Sequence, residues 1–567
     1  MSYRPNKIVI FTKKIYWITN QIRKVLSNTK LSIVRYSLSY RKEHKEYIRN
    51  RIKSEKTLLG LNKNYKKLVE GPVLIDGMWD NPNYWLRYSL LRTALGLNNN
   101  QQYGVYGPYL NRADVKSTLN IFDIKIYGMF ESYFPEKIFI KKAVDKLLKG
   151  TKTADQILSW KLPFDWPASF VYDGLLKQQR SAIVDIYHPM IKQHLYEAIG
   201  SIYAAKNIID NVKPKLLLLS HAIQYRYSAL AWYAYKKNIQ TIVLYGNFGV
   251  CRFFKINKSS DFYDWMNAPN QNDLNRIDSN TSRKLSIAGK KYLEKRLNGD
   301  TTDIGAIYAY KNKTDDISPS EMLNHFGWKN KKPIIAVYAS NWFDFPHNSG
   351  MSNFRDFQDW LDITLNIASK TDDINWVFKA HPVDKRYGGI TLTDLISKYY
   401  KNNIGIVPDS WSSVSLMQIT SGVVTVHGSI GIEYASRGKA VLLADRGFYH
   451  DTGIALWSKT RNDYIKNLKR KWWEDIDTEK TREKAELFSG WYFCCPKWQD
   501  KFLQQDDSNQ KDIYNGFSKF IDESEAAINM EINNLEAWFK SDERQYHVYK
   551  MRHSSDYMPS NIRSFES

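Results

Sequence analysis

The sequence predicts an α/β protein built from two Rossmann-like domains in tandem, with a basic N-terminal arm and a helical C-terminal tail. Three observations predict it. Short, almost wholly apolar runs alternate with helix-period segments, the pattern of strands buried on both faces of a parallel sheet. The alternation occurs twice, interrupted at 297–320 by "LNGDTTDIGAIYAYKNKTDDISPS", whose Gly, Asp, Thr and Pro suit a connection between domains. At 567 residues the chain is also long for a single core.

In chain order, residues 1–65 form the arm. Its first 53 residues hold fourteen Lys or Arg against only Glu43 and Glu46, interleaved with Ile, Tyr, Trp and Leu. Such a basic amphipathic segment fits an anionic membrane surface, and it equally fits a solvated helix packed on its own protein. Residues 66–300 form the first domain. There "GPVLIDGMWDNPNYWLRYSLLRTALG" (71–96) reads strand, loop, helix, and "KPKLLLLSHAIQYRYSALAWYAYKKNIQTIVLYGNFG" (213–249) reads strand, loop, helix, strand. A linker spans 301–325. The second domain, 326–500, has strands in "PIIAVYAS", "NWVFKAHP", "IGIV", "GVVTVHGS" and "AVLLAD", with helices between them. Residues 501–567 are the tail, helical by pattern.

A hydrophobic fraction of 43% with 14% aromatics marks a folded chain. No apolar run reaches eighteen residues, and Lys or Arg interrupt the N-terminal apolar stretches, so a cytoplasmic protein is expected. Cys251, Cys494 and Cys495 imply neither a disulfide framework nor a zinc cluster. The formal charge of +23 attracts anionic lipid, nucleic acid, acidic polysaccharide or a nucleotide-linked donor alike. Beyond the arm the cations are dispersed and no recognition module is visible, which argues against nucleic acid.

Ligands of open α/β sheets bind beyond the carboxyl ends of strands, so polar residues there carry the functional candidates. In the second domain these are Ser340 and Asn341, then Lys379, His381 and Pro382, then His427, Ser429 and Gly431 with Glu433 in the following helix turn. Gly428 and Gly431 permit close backbone approach, Ser429 and helix amides suit an anion, and Glu433 suits ribose hydroxyls. The same letters are also satisfied by plain helix capping, with Ser429 as N-cap and Glu433 favouring the dipole. In the first domain Asp76, Asp80 and His221 are candidate catalytic bases, and Arg87, Arg226 and Arg252 candidates for holding an acidic sugar or phosphate. Asp475 and Asp477 form an Asp-x-Asp away from any strand end and read as a solvated face; no metal and no cofactor are expected.

"FKAHPVD" (378–384) and "VPDSWSSVSLMQITSGVVTVHGSIGIEYASRGKAVLLADRGFYHDTGIA" (from 407) resemble the C-terminal half of the capsule polysaccharide biosynthesis proteins, which include bacterial Kdo transferases. The resemblance covers residues 333–457 well and the first domain loosely, through "VYDGLLKQQR" and "SHAIQYRYSALAWYAYKKNI". It implies a GT-B glycosyltransferase in which Lys379, His381 and Pro382, with Ser429, Gly431, Glu433 and Tyr449, recognise the donor nucleotide. Gly428 and Ser429 stand where Ser-Thr is usual, Ala440 replaces a Pro, and "YGNFGVCRF" (245–253) replaces a Glu-Asp-Gly, so Kdo as the sugar is not carried over. The expected partners are a nucleotide-sugar, a lipid-linked or oligosaccharide acceptor and the anionic inner-membrane surface. A polyol-phosphate or sugar-phosphate transferase of the same architecture, and a non-catalytic polysaccharide export component, remain the alternatives.

Overall fold

The computed structural model describes residues 49, 53, 66–79, 82–107, 119–120, 122–245, 252–300, 306–311, 316–329, 332–381, 391–399, 401–495 and 525–553. Most of the arm, Asp80, Cys251 and Pro382 lie outside the described residues.

The first sheet contains β1 (Val73–Asp76), β2 (Gln102–Tyr106), β3 (Lys125–Met129), β4 (Leu216–Leu219), β5 (Gln240–Val243) and β6 (Phe254–Lys255), in the order β3-β2-β1-β4-β5-β6. All neighbours are parallel except β6, which runs antiparallel to β5. The "LLLL" of β4 is fully buried, as a central strand covered by helices on both faces must be. Those helices include α1 (Pro82–Ala94), α2 (Lys137–Leu148), α3 (Ala168–Gln179), α4 (Ile191–Val212) and α5 (Tyr225–Lys236).

After α6 (Ser279–Leu297), the second sheet contains β7 (Ile334–Tyr338), β8 (Asn375–Lys379), β9 (Ile404–Ile406), β10 (Gly422–Thr425), β11 (Ala440–Leu443) and β12 (Leu456–Trp457). Its order, β12-β11-β10-β7-β8-β9, is parallel throughout. Renumbered from β7, it repeats the first sheet's order: both are doubly wound, with strand order reversing between β1 and β4 and between β7 and β10. The two-domain Rossmann architecture expected from the sequence is therefore present. Its helices include α7 (Phe357–Ala368), α8 (Ile430–Ser436) and α9 (Thr478–Tyr492); α10 (Glu525–Lys540) and α11 (Tyr546–His553) follow.

One boundary falls differently from the sequence reading. Helix α6, assigned there to the first domain, packs on α8 and α9 of the second. The α6–α9 crossing depends on paired glycines: a Cβ on Gly289 would lie 1.9 Å from the Glu486 carbonyl oxygen, and one on Gly490 would lie 1.8 Å from that of Leu285. The tail crosses back to the first domain. Ile528, Ile532, Leu535 and Trp538 of α10 join the core around β1 and α1. Lys255 Nζ donates to the carbonyls of Trp538 at 2.9 Å and Ser541 at 2.5 Å, satisfying the C-terminal end of α10.

The domains are joined by buried polar contacts from α3. Tyr172 donates to Asp356 at 2.6 Å, and Asp173 accepts from the backbone of His347 and Asn348 and pairs with His347 Nδ1 at 2.6 Å.

Candidate functional site

The carboxyl ends of β7, β8 and β10 open into a cavity of about 890 Å³. Ser340, Asn341, Lys379, His381, His427, Ser429 and Glu433 all line it, so residues 93 positions apart in sequence converge at one switch point. Trp265 and Met266, from the stretch between β6 and α6, line it too, together with Phe448, Tyr492 and Phe493. The volume is that of a small-molecule pocket, walled mostly by apolar side chains with a few convergent polar groups.

The polar groups divide into committed and available ones. Lys379 is buried and donates to the Trp411 carbonyl at 2.8 Å. Asn341 is 8% exposed and its Oδ1 has no hydrogen-bond partner. His427 Nδ1 is likewise unpartnered, its ring set edge-on to Phe357 at 5.4 Å. Burial pushes both His381 and His427 down to about 4, against the opposing pull of the Asp344 carboxylate, so both rings are neutral hydrogen-bonding groups at neutral pH. A buried acceptor and a neutral imidazole facing a cavity are suited to a ligand's hydroxyl, amide or base edge.

Glu433 corrects the sequence reading. Its carboxylate was expected to accept from ribose hydroxyls, but Arg296 Nε holds Oε1 at 2.6 Å and the Tyr310 hydroxyl holds Oε2. Arg296 also donates to Ser429 Oγ at 3.1 Å. Ser429 makes no side-chain cap on α8, so the capping explanation for this serine fails as well; its hydroxyl belongs to the Arg296–Glu433 cluster. The first amides of α8 are partly spent too, those of Gly431 and Ile432 donating to the carbonyls of Gly428 and Ser429 at 3.1 and 2.9 Å.

Tyr449 and Gly431 also take different roles from those expected. Tyr449 is fully buried and donates to the Gly428 carbonyl at 2.7 Å, supporting the loop from beneath. A Cβ on Gly431 would lie 2.1 Å from the Tyr449 hydroxyl oxygen, so the glycine makes room for the tyrosine and neither lines the cavity.

At the first switch point the equipment differs. Asp76, at the end of β1, is fully buried; Oδ1 accepts from the Met78 amide at 2.7 Å, and Oδ2 from the Ser220 amide at 3.0 Å and the Ser220 hydroxyl. Ser220 Oγ lies 2.9 Å from His221 Nδ1. With the Ser220 hydroxyl donating to Asp76, Nδ1–H donates to Oγ and Nε2 is left as the proton-accepting nitrogen. His221 is half-buried, edge-on to Trp79 at 4.6 Å. Burial and then the Arg87 charge press its imidazole down to about 4, while burial pushes Asp76 up to about 6 against its hydrogen bonds.

Of the arginines proposed from sequence, Arg252 is 1% exposed, stacked 3.6 Å over Tyr492 and donating to that residue's carbonyl, which makes it a structural clamp. Arg226 pairs with Glu131 at 2.5 Å, and Arg87 is buried. Asp475 pairs with Arg470 and Asp477 caps α9, and no cluster of three potential metal ligands occurs among the described residues. Sequence reasoning missed Arg296, Tyr310 and Trp265, which reach the cavity from distant segments and carry no local motif. Ser220 was legible only as the neighbour of His221 in "LLLLSH".

No protein-family profile matches the chain, and no curated protein matches it. Among solved structures it aligns with the UDP-GlcNAc 2-epimerase of Neisseria meningitidis bound to UDP-GlcNAc, at 13% identity over 81% of this chain and 100% of that one, with a TM-score of 0.22. It aligns with Thermosulfurimonas dismutans KpsC, a beta Kdo 2,4 transferase, at 12% identity over 49% and 79%, with a TM-score of 0.30. A glycosyltransferase from Rickettsia africae aligns at 12% identity over 81% and 99%, with a TM-score of 0.26.

Proposed function

We propose that this protein is a GT-B glycosyltransferase that moves a sugar from a nucleotide-sugar donor to a lipid-linked or growing bacterial surface polysaccharide, capsule or O-antigen, at the cytoplasmic face of the inner membrane. The observation that carries the reading is the convergence of Ser340, Asn341, Lys379, His381, His427 and Ser429 on one cavity of about 890 Å³ at the second switch point. The facing Rossmann domain presents an oriented histidine at its own switch point.

In this reading the donor nucleotide occupies the second-domain cavity. His221 Nε2 takes the proton of the acceptor hydroxyl, whose oxygen bonds to the anomeric carbon as the carbon–oxygen bond to the donor phosphate breaks. The departing phosphate keeps that bond's electrons, and its charge is assigned to the Lys379 ammonium, held at the cavity wall by the Trp411 carbonyl, with the Glu433-paired Arg296 guanidinium as a fixed dipole beside it. Asp76, one hydroxyl away, steadies the imidazolium that forms. Glu433 and Tyr310 act at one remove by fixing Arg296.

Incubating the full chain with a panel of nucleotide-sugars and polysaccharide acceptors tests the reading. Release of free nucleotide together with a glycosidic product is the expected result. A product carrying a new phosphodiester instead would replace it with the sugar-phosphate transferase alternative.

A further inference from the structure

Helix α2, "KIFIKKAVDKLL", turns only a narrow stripe inward, where Ile140 and Val144 are buried. Its other face exposes Ile138 at 56% and Phe139 at 46%. Single exposed apolar residues are ordinary on a protein surface. Here, however, two of the five exposed large apolar side chains among the described residues are neighbours on one helix. Lys137, Lys141, Lys142 and Lys146 on the helix, and Lys149 and Lys152 just beyond it, are all exposed. The i, i+4 spacing of 138, 142 and 146 aligns two of these lysines with Ile138. Asp145, the one carboxylate from 137 to 152, is paired with Lys192 at 2.7 Å. The face is therefore cationic around an apolar centre.

That chemistry selects its occupant. A soluble acidic partner would satisfy the lysines and leave Ile138 and Phe139 unexplained. A bilayer surface satisfies both, with lysine heads at the phosphates and the apolar pair at the acyl boundary. Among the described residues no helix is long and apolar enough to cross a membrane, so contact through α2 would lie along the surface.

We propose that the exposed face of α2 docks the first domain onto an anionic lipid bilayer, separately from residues 1–65, whose basic amphipathic sequence fits a membrane surface and a self-packed helix equally. The proposal deepens the transferase reading by naming the surface on which it works, but its test does not depend on transfer. Full-length protein is floated with vesicles of phosphatidylglycerol and phosphatidylcholine in equal parts, and with phosphatidylcholine alone. Binding to the anionic vesicles only, weakening with salt, is expected. Each lysine near an anionic surface contributes roughly fivefold to binding. The triple variant Lys141→Glu, Lys142→Glu, Lys146→Glu and the separate double variant Ile138→Ser, Phe139→Ser should each lose at least about tenfold, with melting temperature and nucleotide binding kept. Undiminished flotation of both variants would overturn the proposal and leave the arm as the membrane contact. So would a loss in the lysine variant alone, matched on a soluble polyanion, which would assign the face to an acidic polymer.

Discussion

The two switch points share one strand order and differ in what they hold. Between β1 and β4 the polar groups close on one another: Asp76 is buried, hydrogen-bonded to Ser220, and through it orients His221. Between β7 and β10 the strand ends open into a large cavity in which Asn341 Oδ1 and His427 Nδ1 have no partner. A closed relay ending in one accepting nitrogen suits proton transfer, and an open pocket with unmet polar groups suits binding. One topology thus carries two different constellations, one closed on itself and one facing open space.

The sharpest break of that comparison is His221→Ala. Loss of a general base lowers turnover by about 10²–10⁴-fold, and steady-state kinetics should show the loss in kcat with donor KM little changed. A comparable fall in donor affinity would mean the first switch point is not purely catalytic. Next in size is Arg296→Met, which strands the buried Glu433 carboxylate and should cost about 3–5 kcal/mol in urea unfolding. Adding Glu433→Gln should recover much of it, because the uncompensated charge is gone.

A smaller effect is expected from Gly431→Ala, whose new methyl meets the Tyr449 hydroxyl; overpacking of this kind costs about 1–3 kcal/mol. Tyr449→Phe in the same chain should partly restore the melting temperature. If it does not, the Tyr449 support of the second site is misassigned.

The smallest effect concerns the joint between the domains. Burial opposes a charged His347, but the paired Asp173 carboxylate outweighs it and raises the imidazole above its ordinary value. A histidine raised in the folded state contributes stability that is complete below its unfolded pKa and is lost as pH rises through the folded one. Melting temperature should therefore include a component that declines above about pH 6.5, and Asp173→Asn should flatten it. A slope unchanged in that variant would remove the pair as its source.

Much of this was legible in the sequence, for identifiable reasons. "LLLL", "IIAVY" and "VVTV" announce strands buried on both faces, and the polar residues just past them mark the switch points. Ser340, Asn341, Lys379, His381 and Ser429 stand out this way in the sequence, and they line one cavity. Glu433 and Tyr449 were misjudged because a motif records which residues are near a loop and not which way they face. Arg296, reaching Glu433 from 137 positions away, decides what that carboxylate does. The placement of α6 carries no local signal: Gly289 and Gly490 mark a close crossing only once their two helices are seen together.

The central claim is that the donor nucleotide binds at the second switch point while the first supplies the base. Calorimetric titration of one nucleotide into His381→Ala and His221→Ala, beside the unaltered chain, tests it most directly. Binding should be at least about tenfold weaker in His381→Ala, the loss of one charge-assisted or buried hydrogen bond, and unaltered in His221→Ala. Weakened binding in His221→Ala with none in His381→Ala would contradict it.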